Sequence, residues 1–272
     1  MSRIYEALRR TEFERRSFGA VSGEPQDITP IEFLQSFSPQ PVDLHGVESV
    51  KVAAPPGSRL AALTDPQGLG AEQFRALATR LEHLRQQRDL KSLQVTSGGP
   101  YEGKTLLTIN LAVTFAQNSR SRVLMIEGDL HRPTMSPLLG LGNLPGISRW
   151  WSGSDREISP YICKFSDRPL WLLPAGAACP QPSNILRSPR FAEALFHVDA
   201  AFDWVIVDSP PLLPLVDANL WSRLIDGTLL VVREGVASAS DLKKGLQAMD
   251  CLNLLGVVLN DASDCGHGKY EL

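Results

Sequence analysis

The 272-residue sequence lacks any apolar run near the roughly 20 residues that a helix needs to cross a bilayer, and it does not open on a secretory signal. It also lacks an excess of positive charge, since 27 Lys and Arg stand against 30 Asp and Glu. That balance gives no support to nucleic-acid binding, so we expect no nucleic acid among the partners. We expect a cytoplasmic protein that reaches a membrane only through another component.

Cysteine is scarce, and its four copies are scattered without the spacing of a zinc site or a redox pair. This pattern favours a reduced chain in which cysteines are small core residues. Hydrophobic residues make up 43% of the chain, which is enough to bury a full core. The bulk properties therefore indicate one large globular domain, or one domain with an extension.

One stretch carries a specific chemical signal, because Gly98–Thr105 fits the spacing G-x-x-x-x-G-K-[ST]. It lies between a short apolar run and a helix-like pattern, the strand–loop–helix context that a phosphate-binding loop needs. Glycine at Gly98 and Gly103 permits a close approach of the backbone, so that main-chain N–H groups can face an anion. The alternative, a Gly/Pro turn that matches by chance, is disfavoured by this context.

The motif predicts a site for a nucleoside triphosphate and gives its residues roles. Lys104 is expected to contact the outer phosphates, and the Thr105 hydroxyl to ligate Mg²⁺. The predicted nucleotide-binding residues are Gly98, Gly99, Pro100, Tyr101, Glu102, Gly103, Lys104, Thr105 and Leu106.

Apolar strands and helical patterns alternate after a helix predicted at Ala71–Gln87. The strands are apolar over much of their length, which is typical of a parallel sheet covered on both faces. The fold class is therefore α/β, with a P-loop NTPase-type, mostly parallel sheet and helices on both faces. The strands are predicted at Ser92–Thr96, Val123–Glu127, Leu170–Leu173, Trp204–Asp208, Thr228–Val232 and Leu255–Leu259. The later helices are predicted at Lys104–Gln117, Pro189–Phe196, Asp217–Leu224 and Ala239–Leu252.

Composition divides the chain into four parts. Residues 1–16 form a mildly basic amphipathic segment, either a frayed terminus or a helix that docks on a partner or a membrane surface. Residues 17–69 are rich in Pro, Ser and Gly and are interpreted as a linker, with a strand near Val50–Ala53. Residues 70–262 are the predicted P-loop domain, and residues 263–272 a flexible tail.

Acidic residues stand at the ends of two predicted strands, at the edge of the sheet where nucleotide chemistry takes place. Phosphoryl transfer needs carboxylates that hold Mg²⁺ and one that orients the acceptor hydroxyl. Asp208 is the expected Mg²⁺-side carboxylate and Asp129 the second acid, with Glu127 just ahead of it. The predicted catalytic residues are thus Lys104, Asp129 and Asp208, and the predicted metal-site residues are Thr105, Asp129 and Asp208. Taken alone, each aspartate could equally cap a helix or form a turn.

Together these segments resemble the bacterial tyrosine kinases of the capsular-polysaccharide type, over about residues 70–260. The resemblance rests on S-G-G-P-Y-E-G-K-T at 97–105, E-G-D-L-H-R-P at 127–133, F-D-W-V-I-V-D-S-P-P at 202–211, L-P-A-G at 173–176 with P-S-N-I-L-R-S at 182–188, and G-V-V-L-N at 256–260. It implies ATP and Mg²⁺ as cofactors, transfer of the γ-phosphoryl group to tyrosine, and a ring-like homo-oligomer that autophosphorylates in trans. By the same resemblance, Asn260 lies close to the adenine.

The same family regulates the chain length and export of exopolysaccharides. The resemblance therefore implies a partner, a transmembrane polysaccharide co-polymerase or activator, that holds the protein peripherally at the inner membrane. Because the N-terminal part of the sequence contains no predicted span, this partner is expected to be a separate subunit.

The sequence departs from the family in the motif after the second strand of the domain. This motif begins with Glu127, where the family has Asp, and the longer side chain moves the carboxylate by about one carbon–carbon bond, a displacement that can slow a positioned reaction. His131 stands where the family has Arg, and Arg132 follows it. We expect both of these basic residues in subunit contacts or structure rather than in catalysis.

Two further departures concern assembly and phosphate acceptance. In the helix that forms the family's oligomer, Glu72 and Arg75 match, whereas Ala78 replaces a second Arg and Arg80 lies nearby. The family ends in a cluster of tyrosines, but this sequence has the single Tyr270, a candidate phosphoacceptor in a tail that could equally have no such role.

Two alternative functions stay open on the sequence alone. Partitioning- or cell-division-type ATPases share the fold, but they carry a signature lysine where this chain has Gly99, five residues before Lys104. A catalytically weak, ATP-binding regulatory subunit of a polysaccharide export complex is favoured by Glu127, Ala78 and the single tail tyrosine. The tyrosine autokinase is the preferred prediction.

Overall fold

The computed structural model describes residues 42–55, 57–118, 121–213, 216–236, 238–248 and 253–262. Within them, one eight-stranded sheet has the order β1-β4-β5-β3-β6-β2-β7-β8. All neighbouring strands are parallel except β4 and β5, which are antiparallel. The strands are β1 (Glu48–Val50), β2 (Ser92–Ser97), β3 (Val123–Glu127), β4 (Cys163–Phe165), β5 (Leu170–Leu173), β6 (Trp204–Asp208), β7 (Gly227–Arg233) and β8 (Leu254–Asn260). The predicted mostly parallel α/β fold is confirmed.

Helices cover both faces of this sheet. In the described residues they are α1 (Ala61–Thr64), α2 (Leu69–Gln87), α3 (Lys104–Asn118), α4 (Met135–Leu138), α5 (Ile147–Ser152), α6 (Pro182–Leu186), α7 (Pro189–Ala200), α8 (Asp217–Leu224) and α9 (Ala239–Ala248), with a 3₁₀ turn at Ser159–Tyr161. On one face, α1, α2 and α3 build a core in which Phe115 stacks on Trp204 with ring centroids 4.5 Å apart. On the other face, α5 to α8 surround Trp150, Phe191 and Trp221. The strands between the two cores are buried throughout, as their continuous apolar sequences predict.

Strand β1 and helix α1 lie within residues 17–69, which the sequence analysis interprets as a linker with a strand near Val50–Ala53. Strand β1 pairs with β4 at the edge of the sheet, and α1 packs on α3 with Ala62 buried. The side chain of Asn110 fixes this segment, because it accepts a hydrogen bond from the Ala62 N–H at 2.9 Å and donates one to the Arg59 carbonyl at 3.1 Å. The four residues of α1 are too few to show periodicity, so the sequence pattern does not predict this helix.

Several predictions fall on residues outside the described ranges. These are the amphipathic segment 1–16, residues 17–41 of the linker, and the tail 263–272 with Tyr270, and they stay predictions. Among the residues that the structure does describe, no helix has both the length and the apolar character needed to span a bilayer.

Candidate nucleotide-binding site

The loop between β2 and α3 lies at the carboxyl edge of the central strands, where the chain turns directly into a 15-residue helix. Gly103 has φ +95°, and a Cβ atom there would lie 2.2 Å from Nδ2 of Asn260. Tyr101 also has a positive φ, 64°, and its side chain is 82% exposed. The tight turn places the main chain at the N-terminus of α3, where the helix dipole favours an anion.

Glu102 and Asn260 brace this loop from the protein side. The buried carboxylate of Glu102 accepts hydrogen bonds from the Gly99 N–H at 2.5 Å and the Arg233 N–H at 3.1 Å. Asn260 donates through Nδ2 to the Glu102 carbonyl at 2.8 Å. These contacts tie the loop to the ends of β7 and β8. Both residues were predicted to bind nucleotide, and the contacts that their side chains make here are with protein.

The predicted catalytic and metal-site residues come together beside the loop. Oγ1 of Thr105 donates to Oδ2 of Asp208 at 2.7 Å. Nζ of Lys104 lies 3.1 Å from Oδ2 of Asp129 and 3.8 Å from Oδ1 of Asp208. Asp208 and Asp129 end or follow adjacent parallel strands, so the strand register brings them to one place. The arrangement combines an ammonium group, a hydroxyl and two carboxylates in a space largely closed to water.

Burial and neighbouring charges have opposite effects on the pKa values of Lys104 and Asp208. Burial disfavours the charged form of Lys104, but Asp208 and Asp129 outweigh it and hold the pKa of Lys104 above its ordinary value. Burial raises the pKa of Asp208 to about 6, although Lys104 and Thr105 pull it down. Lys104 therefore carries its charge at neutral pH, and Asp208 is a carboxylate that needs a further cation.

A magnesium–nucleotide complex fits these residues. Oδ1 of Asp208 is buried and has no hydrogen-bond partner among the described residues, a condition that a hard divalent cation would relieve. The Thr105 hydroxyl beside it offers a second oxygen ligand. In the described part of the chain, no group of three or more His, Cys, Asp or Glu forms a metal cage. Mg²⁺ is usually held by one or two protein oxygens together with phosphates and water, and Asp208 and Thr105 offer such oxygens.

His131 makes a structural contact through its side chain and Arg132 through its main-chain N–H. Nε2 of His131 lies 2.8 Å from Oδ2 of Asp217, and Oδ1 of Asp217 accepts a hydrogen bond from the Ser183 hydroxyl at 2.8 Å. The Arg132 N–H donates to Oδ1 of Asp129 at 3.1 Å, which fixes the orientation of that carboxylate. The sequence gives no local signal for these contacts, because His131 and Asp217 are 86 residues apart and Ser183 and Asp217 are 34 residues apart.

The helix predicted to form the oligomer is α2, and the side chains at its three motif positions lie in different environments. The Arg75 guanidinium binds the Glu72 carboxylate one turn away and the Pro66 carbonyl at 2.7 Å. Ala78 is buried against the core, whereas Arg80 is exposed. A small residue at position 78 therefore fits the packing of α2, and Arg80 remains on the surface.

Comparisons with known proteins agree with this site. The chain is 32% identical over 211 residues to the tyrosine-protein kinase YwqD of Bacillus subtilis, a match that covers 77% of this chain and 88% of that protein. The chain belongs to the bacterial tyrosine-protein kinases. Its structure gives a TM-score of 0.66 with the kinase domain of the Escherichia coli tyrosine kinase ETK, at 30% identity over 75% of this chain and 82% of that one. No family model matches the sequence.

Two further structures place the kinase family within a wider fold. The chimerical protein CapA2B2 gives a TM-score of 0.68 at 27% identity, over 79% of this chain and 94% of that one. The MinC:MinD cell division complex of Aquifex aeolicus gives 0.50, over 62% of this chain and 68% of that one. The chain thus shares the P-loop ATPase fold but is more similar to the kinases, so the partitioning-type alternative is not supported. Members of a kinase family use a nucleotide, and this use extends to the chain.

Proposed function

We propose that this protein is an ATP-dependent tyrosine autokinase that regulates the chain length and export of an exopolysaccharide or capsule. The observation that carries the proposal is the cluster of Lys104, Thr105, Asp129 and Asp208 beside a phosphate-binding loop, in a member of the tyrosine kinase family. Relatives include the putative tyrosine-protein kinase CapB of Staphylococcus aureus, 30% identical over 197 residues.

These residues contribute to phosphoryl transfer by positioning the reacting groups and by stabilising charge electrostatically. The loop amides and Lys104 would hold phosphate oxygens, while Thr105 and Asp208 would hold Mg²⁺. When bound, magnesium ATP would supply the γ-phosphoryl group and an electrophilic phosphorus. Oδ2 of Asp129, which Lys104 contacts here, is the oxygen that would take the proton of the acceptor tyrosine, and the Arg132 N–H holds the other oxygen in place.

The test is incubation of the purified protein with labelled ATP and Mg²⁺, followed by detection of phosphotyrosine. The proposal predicts label on tyrosine that depends on Mg²⁺. Tight nucleotide binding without label would instead favour the regulatory subunit, which shares every feature of the site except turnover.

Tyr270 is the proposed acceptor, and Tyr270→Phe should lower autophosphorylation because the phenolic oxygen that attacks phosphorus is removed. Tyr161→Phe is the matched control, since the Tyr161 hydroxyl already donates to the Asp155 carboxylate. Mass-spectrometric mapping of the phosphorylated residues measures both. Unchanged labelling of Tyr270→Phe would place the acceptor elsewhere: loss of label in Tyr161→Phe would then identify Tyr161, and label kept in both variants would point to another tyrosine such as Tyr5.

We further propose a ring-like homo-oligomer and a transmembrane co-polymerase or activator as partner, through which the protein is peripheral at the inner membrane. The proposal is supported by family membership and by the exposed Glu72–Arg75 pair on α2. Fractionation of cells with and without the polysaccharide-export proteins tests it. Equal association with membranes in both strains would contradict the role of the partner.

A further inference from the structure

Glu127 ends β3 with a carboxylate that is fully engaged inside the protein. Its side chain is buried, with 1% exposure. Oε1 accepts hydrogen bonds from the Met135 N–H at 2.6 Å and the Ser136 N–H at 3.4 Å. Oε2 accepts from the Ala175 N–H at 3.0 Å and the Ser136 hydroxyl at 3.3 Å. Three main-chain amides therefore share one carboxylate.

These bonds fix one end of the segment that carries Asp129. Helix α4 starts at Met135 and has no side-chain cap from Thr134, so Glu127 satisfies its first amides instead. The other end is fixed at Gly128, whose N–H donates to the Asp208 carbonyl at 2.8 Å. Asp129 lies between these two anchors, a short distance along the chain from each.

The strand register explains why a glutamate suits this position. Glu127 pairs with Asp208 on the adjacent parallel strand, so both side chains leave the sheet on the same face. The extra methylene lets the carboxylate of Glu127 reach α4 and Ala175, which follows β5 on the side of β3 away from Asp208. An aspartate would be shorter by roughly one carbon–carbon bond and could not reach the same three amides.

Glu127 acts on the Lys104 cluster through its charge and not through a hydrogen bond. It is one of the three carboxylates that raise the pKa of Lys104. In the described residues the hydrogen bonds of Glu127 go to α4 and to the start of the loop after β5, not to the Lys104 cluster.

We propose that Glu127 is a positioning residue, which holds the Asp129 segment in place through the amides of Met135, Ser136 and Ala175 and ligates neither Mg²⁺ nor substrate. The inference rests on the proposed kinase function and deepens it. Under this proposal Glu127 is not a reacting group, so a glutamate at this position is compatible with full activity.

Restoring the family residue gives the sharpest test. Under this proposal Glu127→Asp lowers the single-turnover rate of phosphotyrosine formation by about tenfold or more, since displacements near one ångström can cost up to about 100-fold. Glu127→Gln should lower the rate in the same way, because the NH₂ group of glutamine is a donor and cannot accept a hydrogen bond from a main-chain N–H. The Kd for ATP and the Mg²⁺ concentration for half-maximal rate stay at their wild-type values in both variants. Glu48→Gln, on the exposed edge strand, is the matched control and leaves the rate unchanged.

Two outcomes would overturn the proposal. One is a Glu127→Asp variant as fast as wild type or faster; the other is a variant whose rate returns on addition of Mg²⁺, which would make Glu127 a metal-side carboxylate. Hydrogen exchange of the Met135, Ser136 and Ala175 amides gives a readout without turnover. Faster exchange confined to these amides in Glu127→Gln would support the positioning role of the Glu127 carboxylate, even if the wild type forms no phosphotyrosine. Unchanged exchange would contradict that role.

Discussion

Lys104→Met should abolish ATP hydrolysis and autophosphorylation. The ammonium group is the only cation that the structure places within 4 Å of Asp129 and Asp208 among the described residues, and its side chain is largely buried. Methionine keeps the length and apolar stem of the side chain but contributes no charge to the transferring phosphoryl group. Loss of one preorganised group of this kind typically costs about 100- to 1,000-fold in rate, and loss of a full charge costs at least that.

A second lysine separates this effect from a general change in net charge. Lys51 is exposed and distant in sequence from the loop, so Lys51→Met should keep full activity. Steady-state hydrolysis and phosphotyrosine formation are measured for both variants, with thermal unfolding to show that each is folded. Substantial residual turnover in Lys104→Met would remove Lys104 from its role.

Gly103→Ala should weaken ATP binding by a factor of about ten or more. A left-handed backbone costs roughly 1–2 kcal/mol for a residue with a Cβ, and φ at Gly103 is +95°. The added Cβ would also lie 2.2 Å from Nδ2 of Asn260, an atom held by the Glu102 carbonyl. Either the loop or Asn260 must move, and the amides that face the phosphates move with the loop.

The chain offers a control that separates backbone strain from steric conflict. Gly46 has φ +86° with no atom within 4 Å of a built Cβ, so Gly46→Ala should lower stability by about 1 kcal/mol and leave ATP binding unchanged. Adding Asn260→Ala to Gly103→Ala removes the conflict and should recover part of the affinity. Wild-type affinity in Gly103→Ala, measured by fluorescence of a labelled nucleotide, would contradict the geometry of the loop.

Long continuous patterns made the central fold predictable. Strands such as Val123–Glu127 and Trp204–Asp208 are apolar throughout and end in acids, so their burial, direction and chemistry can all be predicted from local sequence, and their bounds agree with the structure. The cluster around Lys104 was predictable for the same reason, because parallel strands bring their carboxyl ends to one edge. Helix α1 and strand β4 were not, and β1 was predicted only approximately, since these short elements gain order from packing on partners distant in sequence.

Side-chain direction was the part of the site that sequence could not supply. Glu102 lies within the phosphate-loop motif, yet its carboxylate faces inward to Gly99 and Arg233, the latter 131 residues away. Glu127 occupies the position of a family acid, yet its bonds reach Ala175, 48 residues on. Spacing within a motif predicts which residues are near a site, but long-range hydrogen bonds decide which of them face it.

Calorimetric titration of the purified protein with ATP, and separately with ADP, in the presence of Mg²⁺ tests the central claim most directly. We expect saturable heat for one nucleotide per chain, and a much weaker titration for Gly103→Ala than for Gly46→Ala. Absence of binding heat with both nucleotides, from protein shown to be folded, would contradict every nucleotide-dependent role proposed for the loop.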